Sequence, residues 1–302
     1  MSDLAKTLIM VNPAAGSGRA REIWDRLLAR RPELGRARLI LTAGAESALD
    51  ELDAGLDAGA ERLIVIGGDG TVNLVANRLL ARGHGERIAL GLLRAGTGSD
   101  LTRFLGLPRR PGAALDILLE ATPRPIDAIE IVTGSGERHF VVNIASAGLS
   151  GAVDEMVNSI HNRGRLTYIR ASITALLRYR AAPCRVVVDG EVIWDDPFFL
   201  LILANGQYFG KGMRAAPRAE IDDGKIDVVL VPPLPLWQLP YRMPQFYTGH
   251  HLGIPGVLHR RARLVRVEPK ADMPPYDVDG EILPAAPADF RILPGALRIL
   301  TG

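Results

Sequence analysis

The sequence predicts an α/β protein with two domains, an N-terminal doubly wound parallel sheet and a C-terminal strand-rich domain. The chain has 302 residues, which is more than one average domain of roughly 100–200 residues. Over about the first 130 residues, strand-like apolar runs alternate with helical segments. Beyond that point the strand-like runs follow one another, and one helical stretch interrupts them. Alternating strands and helices are typical of a parallel sheet with helices on both faces.

The elements of the N-terminal domain, residues 1–130, are predicted from apolar spacing. Continuous apolar runs predict buried strands over residues 6–12, 37–42, 62–66 and 87–93. Apolar residues at helical spacing predict helices over residues 17–31, 46–56 and 71–81. The last of these helices has its apolar residues one turn apart, at Val72, Val75, Ala76, Leu79 and Leu80.

The C-terminal domain, residues 131–287, is predicted from apolar runs that are often separated by Gly, Pro or Asp turns. These runs, beginning just before the boundary, predict strands over residues 126–132, 138–145, 184–194, 198–206, 225–231, 261–269 and 290–300. A helical stretch over about residues 151–180 interrupts them. The sequence leaves open whether the last segment, residues 288–302, returns to the first domain.

Composition and charge exclude several classes of protein. Hydrophobic residues make up 47% of the chain, which excludes a disordered protein. The formal net charge of +2 does not indicate a general polyanion binder, so no nucleic-acid partner is expected. The single cysteine, Cys184, allows neither an intrachain disulfide nor a cysteine metal cluster. No signal-peptide pattern is present, and no apolar run approaches the ~20 residues of a spanning helix, so we expect a cytoplasmic protein.

Three glycine-rich turns follow strands of the N-terminal domain. They are NPAAGSG over residues 12–18, GGDGTVN over 67–73 and RAGTGSD over 94–100. Glycine lets backbone N–H groups approach phosphate oxygens, and helix N-termini add partial positive charge. Each turn alone is better explained as a structural turn. Because the carboxyl ends of parallel strands share one edge, the three turns are expected to converge, which favours a phosphate site.

The common nucleotide-binding fingerprints do not occur in the sequence. The stretch GQYFGKG, residues 206–212, has the wrong spacing for a P-loop, and no G-x-G-x-x-G follows a strand. The sequence therefore predicts neither a P-loop protein nor a standard dinucleotide binder.

The glycine turns, together with three later motifs, resemble the diacylglycerol kinase catalytic family, which includes bacterial lipid kinases and sphingosine kinases. The later motifs are NIASAGLSG over residues 143–151, ANGQYFGKG…DDGKIDVVLV over 204–231 and DVDGE over 277–281. The resemblance covers nearly the whole chain in the family's order. It implies an N-terminal domain of the phosphofructokinase and NAD kinase type and a C-terminal β-sandwich. Ser99 and Ser150 depart from it, where the family often has Asn and Asp.

The resemblance implies a catalytic role for two acids. Asp69 would organise Mg²⁺ beside the triphosphate, and the alternative is a carboxylate that bonds its own turn. Glu281 would act as the general base for the lipid hydroxyl, and the alternative is an Asp-Gly hairpin turn. A second copy of the motif, Asp189-Gly190-Glu191, lies between two strand-like runs and is interpreted as a hairpin. Asp100 and Asp279 are expected to support the catalytic acids.

Further residues are assigned to ATP and to a metal. The ATP-binding candidates lie on the turns and strand ends: Asn12, Thr42, Gly67, Gly68, Gly70, Thr71, Asn73 and Thr97. Thr71 has an alternative role as a helix N-cap. By the resemblance to some family members, the carboxylate of Asp223 and backbone carbonyls near Glu220 and Lys225 would hold a structural Mg²⁺, since hard cations favour oxygen ligands. A plain β-turn explains that segment equally well.

The sequence thus predicts an ATP-dependent lipid kinase with Mg²⁺, acting on a diacylglycerol- or phosphatidylglycerol-type acceptor at a membrane surface. A homodimer is compatible with it. Two alternatives stay open: an NAD-kinase-like kinase of a soluble acceptor, and a non-catalytic nucleotide- or lipid-binding regulator. The aromatic and proline-rich segment 233–247 is interpreted as packed core or domain interface, with a membrane-interface segment as the alternative.

Overall fold

The computed structural model describes residues 4–42, 44–95, 100–158, 174, 176, 178–270 and 273–302. The chain divides into two compact units. Unit 1 consists of Met1–Ala128 and Pro294–Gly302, and unit 2 of Ile129–Leu293. Whether each unit folds as an independent domain stays a prediction.

Unit 1 is built on a parallel sheet. Its first four strands are β1 (Thr7–Val11), β2 (Arg38–Leu41), β3 (Arg62–Gly67) and β4 (Ala89–Arg94). Its helices are α1 (Arg19–Arg30), α2 (Ala45–Asp57), α3 (Asp69–Ala81), α4 (Asp100–Phe104) and α5 (Pro111–Glu120), with short 3-10 turns at Leu4–Lys6 and Pro32–Arg36. The strand order is β2–β1–β3–β4, and every neighbouring pair is parallel. The strand Ala288–Leu300 adds to the free edge of β4, also in parallel, with Arg298 opposite Ala89.

Helices cover both faces of this sheet, so the predicted doubly wound architecture is confirmed. On one face, Trp24 of α1 and Leu115 of α5 share a buried cluster with Ile9 and Ile64. On the other face, α2 lies against β1 so closely that a Cβ placed on Gly55 would sit 2.8 Å from the side chain of Leu8. Because successive strand residues point to opposite faces, β1 and β3 are buried on both sides and read as continuous apolar runs.

Two details of unit 1 differ from the sequence prediction. Helix α3 begins at Asp69 rather than at Thr71. Gly68-Asp69-Gly70 has low helix propensity, but the first turn of a helix requires no intrahelical N–H bonds, so these residues can open it. Helices α4 and α5 were not predicted, although Pro111 at the first position of α5 is a helix-start signal.

Unit 2 contains two antiparallel sheets. Its strands, including two shared with unit 1, are β5 (Pro123–Thr133), β6 (Arg138–Val141), β7 (Ile144–Gly148), β8 (Ala182–Val188), β9 (Glu191–Trp194), β10 (Pro197–Phe198), β11 (Leu200–Ala204), β12 (Ile226–Val231), β13 (Leu258–Ala262), β14 (Leu264–Pro269), β15 (Tyr276–Val278), β16 (Glu281–Leu283) and β17 (Ala288–Leu300). One sheet has the order β13–β12–β11–β7–β15–β16. In the other sheet, β8 pairs with β9, β10 and β14, and β14 pairs with β17. Side chains from both sheets share one buried cluster, among them Val228, Val265 and Phe290. The predicted β-sandwich is thereby confirmed.

The segment predicted as one strand over residues 138–145 is divided between the two sheets. β6 pairs with β5, whereas β7 pairs with β11 and β15. The break falls at residues 142–143, whose backbone N–H groups are bonded by the carboxylate of Asp279 instead of a strand partner.

Among the described residues of unit 2, two α-helices have defined bounds. Helix α6 covers Leu149–Asn158, and most of the remaining predicted helix, up to residue 180, lies outside the described residues. A second helix covers Leu239–Thr248 and contains Pro240 and Pro244, with short 3-10 turns at Leu236–Gln238 and His250–Gly253 beside it. None of the described helices has the length and apolar character needed to cross a membrane.

Candidate active site

The glycine turns of unit 1 meet at the carboxyl edge of its sheet. Asn12, directly after β1, donates a 2.9 Å hydrogen bond from Nδ2 to Oγ1 of Thr71 in α3. The backbone N–H of Ala95, directly after β4, donates to the carbonyl of Gly67 at 3.0 Å. A Cβ placed on Gly16 would lie 2.1 Å from the carbonyl oxygen of Ala95, so these two turns touch through their backbones. The described parts of all three turns therefore converge.

The glycines before α3 have different reasons to be glycine. A Cβ on Gly67 would lie 2.8 Å from the side chain of Thr71, so packing alone requires glycine there. A Cβ on Gly68 or Gly70 would meet no atom of the described residues within 4 Å. Neither has the positive φ that favours glycine. Packing and backbone strain thus leave Gly68 and Gly70 unexplained, whereas close approach of a ligand to the backbone explains both.

The first turn of α3 is suited to an anion. Gly68 is its N-cap and offers no side-chain cap, so Thr71 is not the N-cap that the sequence allowed. Thr71 instead uses its hydroxyl to accept the bond from Asn12. Uncapped N–H groups and the helix dipole favour negative charge at this position. Asp69, expected on the loop before the helix, is the first residue of the helix.

The other nucleotide candidates of unit 1 lie at or near the same edge. The backbone N–H of Thr42 donates to the carbonyl of the last residue of β1 at 3.0 Å. Asn73 is buried, and its side-chain carbonyl accepts a 2.6 Å hydrogen bond from Nδ2 of Asn77. Asp100 is buried at the start of α4. Thr97 lies outside the described residues.

In unit 2, Asp279 is held by the backbone of a neighbouring strand. Asp279 and Gly280 form a two-residue hairpin turn with φ of 51° and 89°, and Val278 pairs with Glu281 across it. The Asp279 carboxylate accepts backbone N–H bonds of 2.8, 3.2 and 2.8 Å from residues 142–144. Glu281 follows as the exposed first residue of β16. The hairpin that carries the predicted base is therefore fixed at its turn.

A second acid lies beside this turn. Asp277 is buried, and it accepts a 2.9 Å bond from the backbone N–H of Gly280 and a 3.4 Å bond from Oγ of Ser146. Burial, and to a lesser extent the charge of Asp277, raises the pKa of Asp279 to about 7, despite the lowering effect of its three N–H bonds. Sequence reasoning did not assign Asp277 or Ser146. The motif DVDGE itself contained the signal, since its first residue is Asp277.

The asparagine motifs of unit 2 anchor each other next to this turn. The carbonyl of Asn143 accepts 2.9 Å bonds from the backbone N–H groups of Asn205 and Gly206. Its side-chain Nδ2 donates to the carbonyl of Tyr208 at 2.9 Å, and its Oδ1 is buried without a hydrogen-bond partner among the described residues. Oγ of Ser150 is likewise buried without a hydrogen-bond partner among the described residues. The resembled family often has Asp at position 150. The two sequence motifs over 143–151 and 204–231 are thus brought together.

The predicted structural metal site contains an arginine. Oδ1 of Asp223 accepts the backbone N–H of Lys225 at 3.0 Å, while its other oxygen pairs with Arg261. Arg261 also lies 3.6 Å from Glu220. No group of three or more His, Cys, Asp or Glu side chains within the described residues could hold a metal ion. Mg²⁺ at Glu220, Asp223 and Lys225 stays a prediction, in which the ion would have to compete with Arg261 for the carboxylate of Asp223.

Comparisons with known proteins agree with this arrangement. The family model described as "Diacylglycerol kinase catalytic domain" matches residues 6–131, and "YegS C-terminal NAD kinase beta sandwich-like domain" matches residues 143–301. A Mycobacterium tuberculosis protein named diacylglycerol kinase is 30% identical over 305 residues, covering 99% of this chain and 96% of the relative. A Pseudomonas aeruginosa protein named "Probable lipid kinase YegS-like" is 33% identical over 257 residues, covering 82% and 79%.

Solved structures show the same fold. The crystal structure of a diacylglycerol kinase from Bacillus anthracis str. Sterne aligns with a TM-score of 0.75 at 21% identity, covering 100% of this chain and 99% of that chain. Yeast NADH kinase complexed with NADH aligns with a TM-score of 0.53 at 10% identity, covering 97% and 82%. At these identities the likeness concerns the fold alone. The two family matches and the M. tuberculosis relative carry the identification: the chain is a kinase that belongs to the diacylglycerol kinase catalytic domain family, with a YegS-type C-terminal domain.

Proposed function

We propose that this kinase transfers the γ-phosphate of ATP to the hydroxyl group of a diacylglycerol- or phosphatidylglycerol-type lipid. The assignment of ATP as the phosphate donor rests on the open backbone at Gly68 and Gly70, because neither packing nor backbone strain explains these two glycines. The lipid half is supported by the relatives, one named diacylglycerol kinase and another named a lipid kinase.

ATP would bind with its phosphates against the glycine turns of unit 1. The uncapped N-terminus of α3 supplies N–H donors and positive potential for the phosphates. The Asn12–Thr71 hydrogen bond fixes the first turn against this helix, so both turns present one surface. We assign the following residues to nucleotide binding: Asn12, Thr42, Gly67, Gly68, Gly70, Thr71, Asn73 and Thr97.

Mg²⁺ fits this site as an ion held together with the nucleotide. Mg²⁺ keeps several waters and is bound in kinases through one or two carboxylates and the substrate phosphates. Asp69 in the first turn of α3 supplies one such carboxylate. The described residues contain no cage of acids that would hold the ion without phosphates. When bound, the ion would neutralise charge on the transferred phosphoryl group.

The chemistry assigned to unit 2 is acceptance of a proton. The lipid oxygen forms a bond to the γ-phosphorus, the bond from that phosphorus to the β,γ-bridging oxygen breaks, and ADP leaves. The hydroxyl proton moves to the carboxylate of Glu281. Asp279 acts as a positioning residue, because its bonds to residues 142–144 fix the hairpin that carries Glu281. Asp100 would support the nucleotide side. We expect peripheral membrane association during turnover.

The test is transfer of labelled γ-phosphate from ATP to a panel of diacylglycerol, phosphatidylglycerol and NAD, with Mg²⁺. Wild type is compared with Asp69→Asn and with Asp50→Asn, a control on the exposed side of α2. We expect label in one lipid, a loss of roughly 10²-fold or more for Asp69→Asn, and no change for the control.

Label in NAD and in no lipid would replace the proposal with a kinase of a soluble acceptor. ATP binding measured by calorimetry, without transfer to any member of the panel, would favour a nucleotide-binding regulator instead.

A further inference from the structure

A long segment of unit 2 carries positive charge without any acid. Residues 232–267 contain no Asp or Glu, but they contain five arginines and three histidines. The segment includes the helix Leu239–Thr248 and strands β13 and most of β14. Two of these arginines, Arg261 and Arg266, pair with acids outside the segment, which offsets part of its positive charge.

The helix in this segment leaves an aromatic face uncovered. Trp237, Tyr241 and Tyr247 are 71%, 74% and 54% exposed. With 3.6 residues per turn, Tyr241 and Tyr247 lie on one side of the helix together with the exposed Pro240 and Pro244, and Trp237 lies in the 3-10 turn directly before the helix. We call these five residues the aromatic face. The interpretation of this segment as packed core is therefore wrong for the aromatic face, although it holds for Leu239 and Phe246.

The opposite side of the same helix is packed into unit 2. Leu239 and Phe246 are buried in a cluster with strands β11 and β12, and Met243 packs against it. His251, just beyond the helix, stacks on Phe246 with ring centroids 4.4 Å apart and lies within 2.9 Å of the carbonyl of Ala215. The helix is thus held firmly, and exposure of the aromatic face does not result from a loosely attached segment.

Arginines adjoin the C-terminal end of this helix. Gly249, the residue directly after the helix, lies close to Pro217, since a Cβ placed on Gly249 would be 2.9 Å from Pro217. Pro217 lines a pocket together with Arg218, Arg260 and Arg261. Glu220, the acid that lines this pocket, lies 3.6 Å from Arg261, and Arg261 also pairs with Asp223. Arg218 and Arg260 are exposed, so they supply the positive charge of the pocket to a partner.

We propose that the aromatic face, with Arg218 and Arg260, docks this kinase on a membrane that contains anionic lipids. Trp and Tyr favour the boundary between lipid and water, because each has an apolar ring and a polar group. Arginines bind lipid phosphates through several N–H donors, and anionic leaflets attract basic segments. This inference deepens the proposed function, since a lipid acceptor resides in such a surface.

The test is co-sedimentation with vesicles, without ATP, so its outcome does not depend on whether lipid is phosphorylated. Vesicles of equal parts phosphatidylglycerol and phosphatidylcholine are compared with vesicles of phosphatidylcholine alone. We expect W237A/Y241A/Y247A to bind the mixed vesicles about tenfold more weakly than wild type, and R218A/R260A to lose the preference for phosphatidylglycerol. Matched controls are Val192→Ala, an exposed apolar residue of β9, and R36A/R38A, two exposed arginines of unit 1.

A second readout detects insertion of the aromatic face. Trp237 emission is expected to shift to the blue with mixed vesicles and to be quenched by brominated lipid, whereas the buried Trp24 and the partly buried Trp194 of β9 should be quenched much less. Trp237→Tyr should remove the shift and leave vesicle binding nearly intact. The aromatic triple variant should also retain wild-type activity on a short-chain acceptor dispersed below its aggregation threshold, if the proposed kinase function is right.

Two results would overturn the proposal. One is equal vesicle binding by wild type and the aromatic triple variant. The other is a concentration-dependent dimer in sedimentation velocity that the same variant abolishes, which would assign the aromatic face to a second copy of the chain.

Discussion

The chain folds the sequence Val-Asp-Gly-Glu twice, at residues 188–191 and 278–281, and the two copies make the same turn. The φ angles are 48° and 90° at Asp189 and Gly190, and 51° and 89° at Asp279 and Gly280. In each copy the Asp backbone N–H donates to a neighbouring strand, to Leu264 or to Ile144. In each copy the Asp carboxylate accepts N–H groups at the start of that strand.

The surroundings of the two copies differ. The exposed Asp189 accepts the N–H groups of Arg263 and Leu264, whereas the carboxylate of Asp279 accepts three N–H groups. Two residues before the turn, the second copy has the buried acid Asp277, where the first has Val187. From the sequence, the first copy is interpreted as a plain hairpin turn and is therefore not assigned to catalysis. Both copies form this turn, so the turn does not distinguish them. The comparison teaches that neighbouring side chains, not the turn, distinguish a candidate catalytic acid from a structural one.

The largest expected difference between the copies is in catalysis. Glu281→Gln should lower kcat for lipid phosphorylation by about 10²- to 10⁴-fold, because an amide cannot accept the hydroxyl proton. Glu191→Gln, the same change on the same turn, should leave kcat unchanged. Steady-state kinetics of both variants provide the measurement, and equal losses or no loss in either would remove Glu281 as the base.

The next difference is in folding stability. Asp279→Ala should cost about 3 kcal/mol or more, since three backbone N–H groups lose their acceptor in a partly buried site. Asp189→Ala should cost about 1 kcal/mol, because water can reach its exposed N–H groups. Urea unfolding of both variants measures the two losses. Equal losses would show that burial does not separate the copies.

The pH dependence should sharpen the role of burial at Asp279. Its pKa is raised from the ordinary 3.8 to about 7 in the folded chain, first by burial. Between these values the folded state binds the proton that the unfolded state has lost, so this group's contribution to stability falls as pH rises. The stability of wild type relative to Asp279→Asn should therefore decrease from pH 4 to pH 7. A pH-independent difference between the two unfolding curves would contradict this.

The smallest expected difference is at the glycines. Gly190 and Gly280 have φ near 90°, and a Cβ on either would meet no described atom within 4 Å. Gly190→Ala and Gly280→Ala should each cost about 1–2 kcal/mol through backbone strain alone. Calorimetric melting of the pair should give matching losses, and a clearly larger loss at Gly280 would reveal strain from its surroundings.

Much of unit 1 could be predicted from the sequence because its strands are buried on both faces. Such strands read as continuous apolar runs, so β1 and β3 were predicted nearly to their observed bounds. The start of α3 was misplaced at Thr71 because local propensity disfavours Gly68-Asp69-Gly70 in a helix, while the end of a strand fixes where the helix begins. The convergence of the turns was expected from topology alone, and the Asn12–Thr71 bond agrees with it.

Less of unit 2 could be predicted, since its contacts join residues far apart in the chain. Asp279 bonds the backbone of residues 142–144, and nothing local to either segment indicates the other. Arg261 pairs with Asp223, 38 residues away in the sequence, and this pair changes the interpretation of the DDGK segment. The aromatic face shows that the sequence does not reveal which aromatic residues of a segment are buried. Trp237 and Phe246 belong to the same segment, but only Phe246 is buried.

Strand β17 has a consequence for how the protein is made. Unit 1 is discontinuous: Met1–Ala128 is completed only by Pro294–Gly302, whose strand covers the edge of β4. A ribosome adds about 5–20 residues per second, so the first part of unit 1 waits on the order of ten seconds, with an unpaired edge, while residues 129–293 are synthesised. Exposed edges invite pairing with other chains. Slowing translation across residues 129–293 should therefore raise the demand for chaperones more than slowing it across residues 1–128.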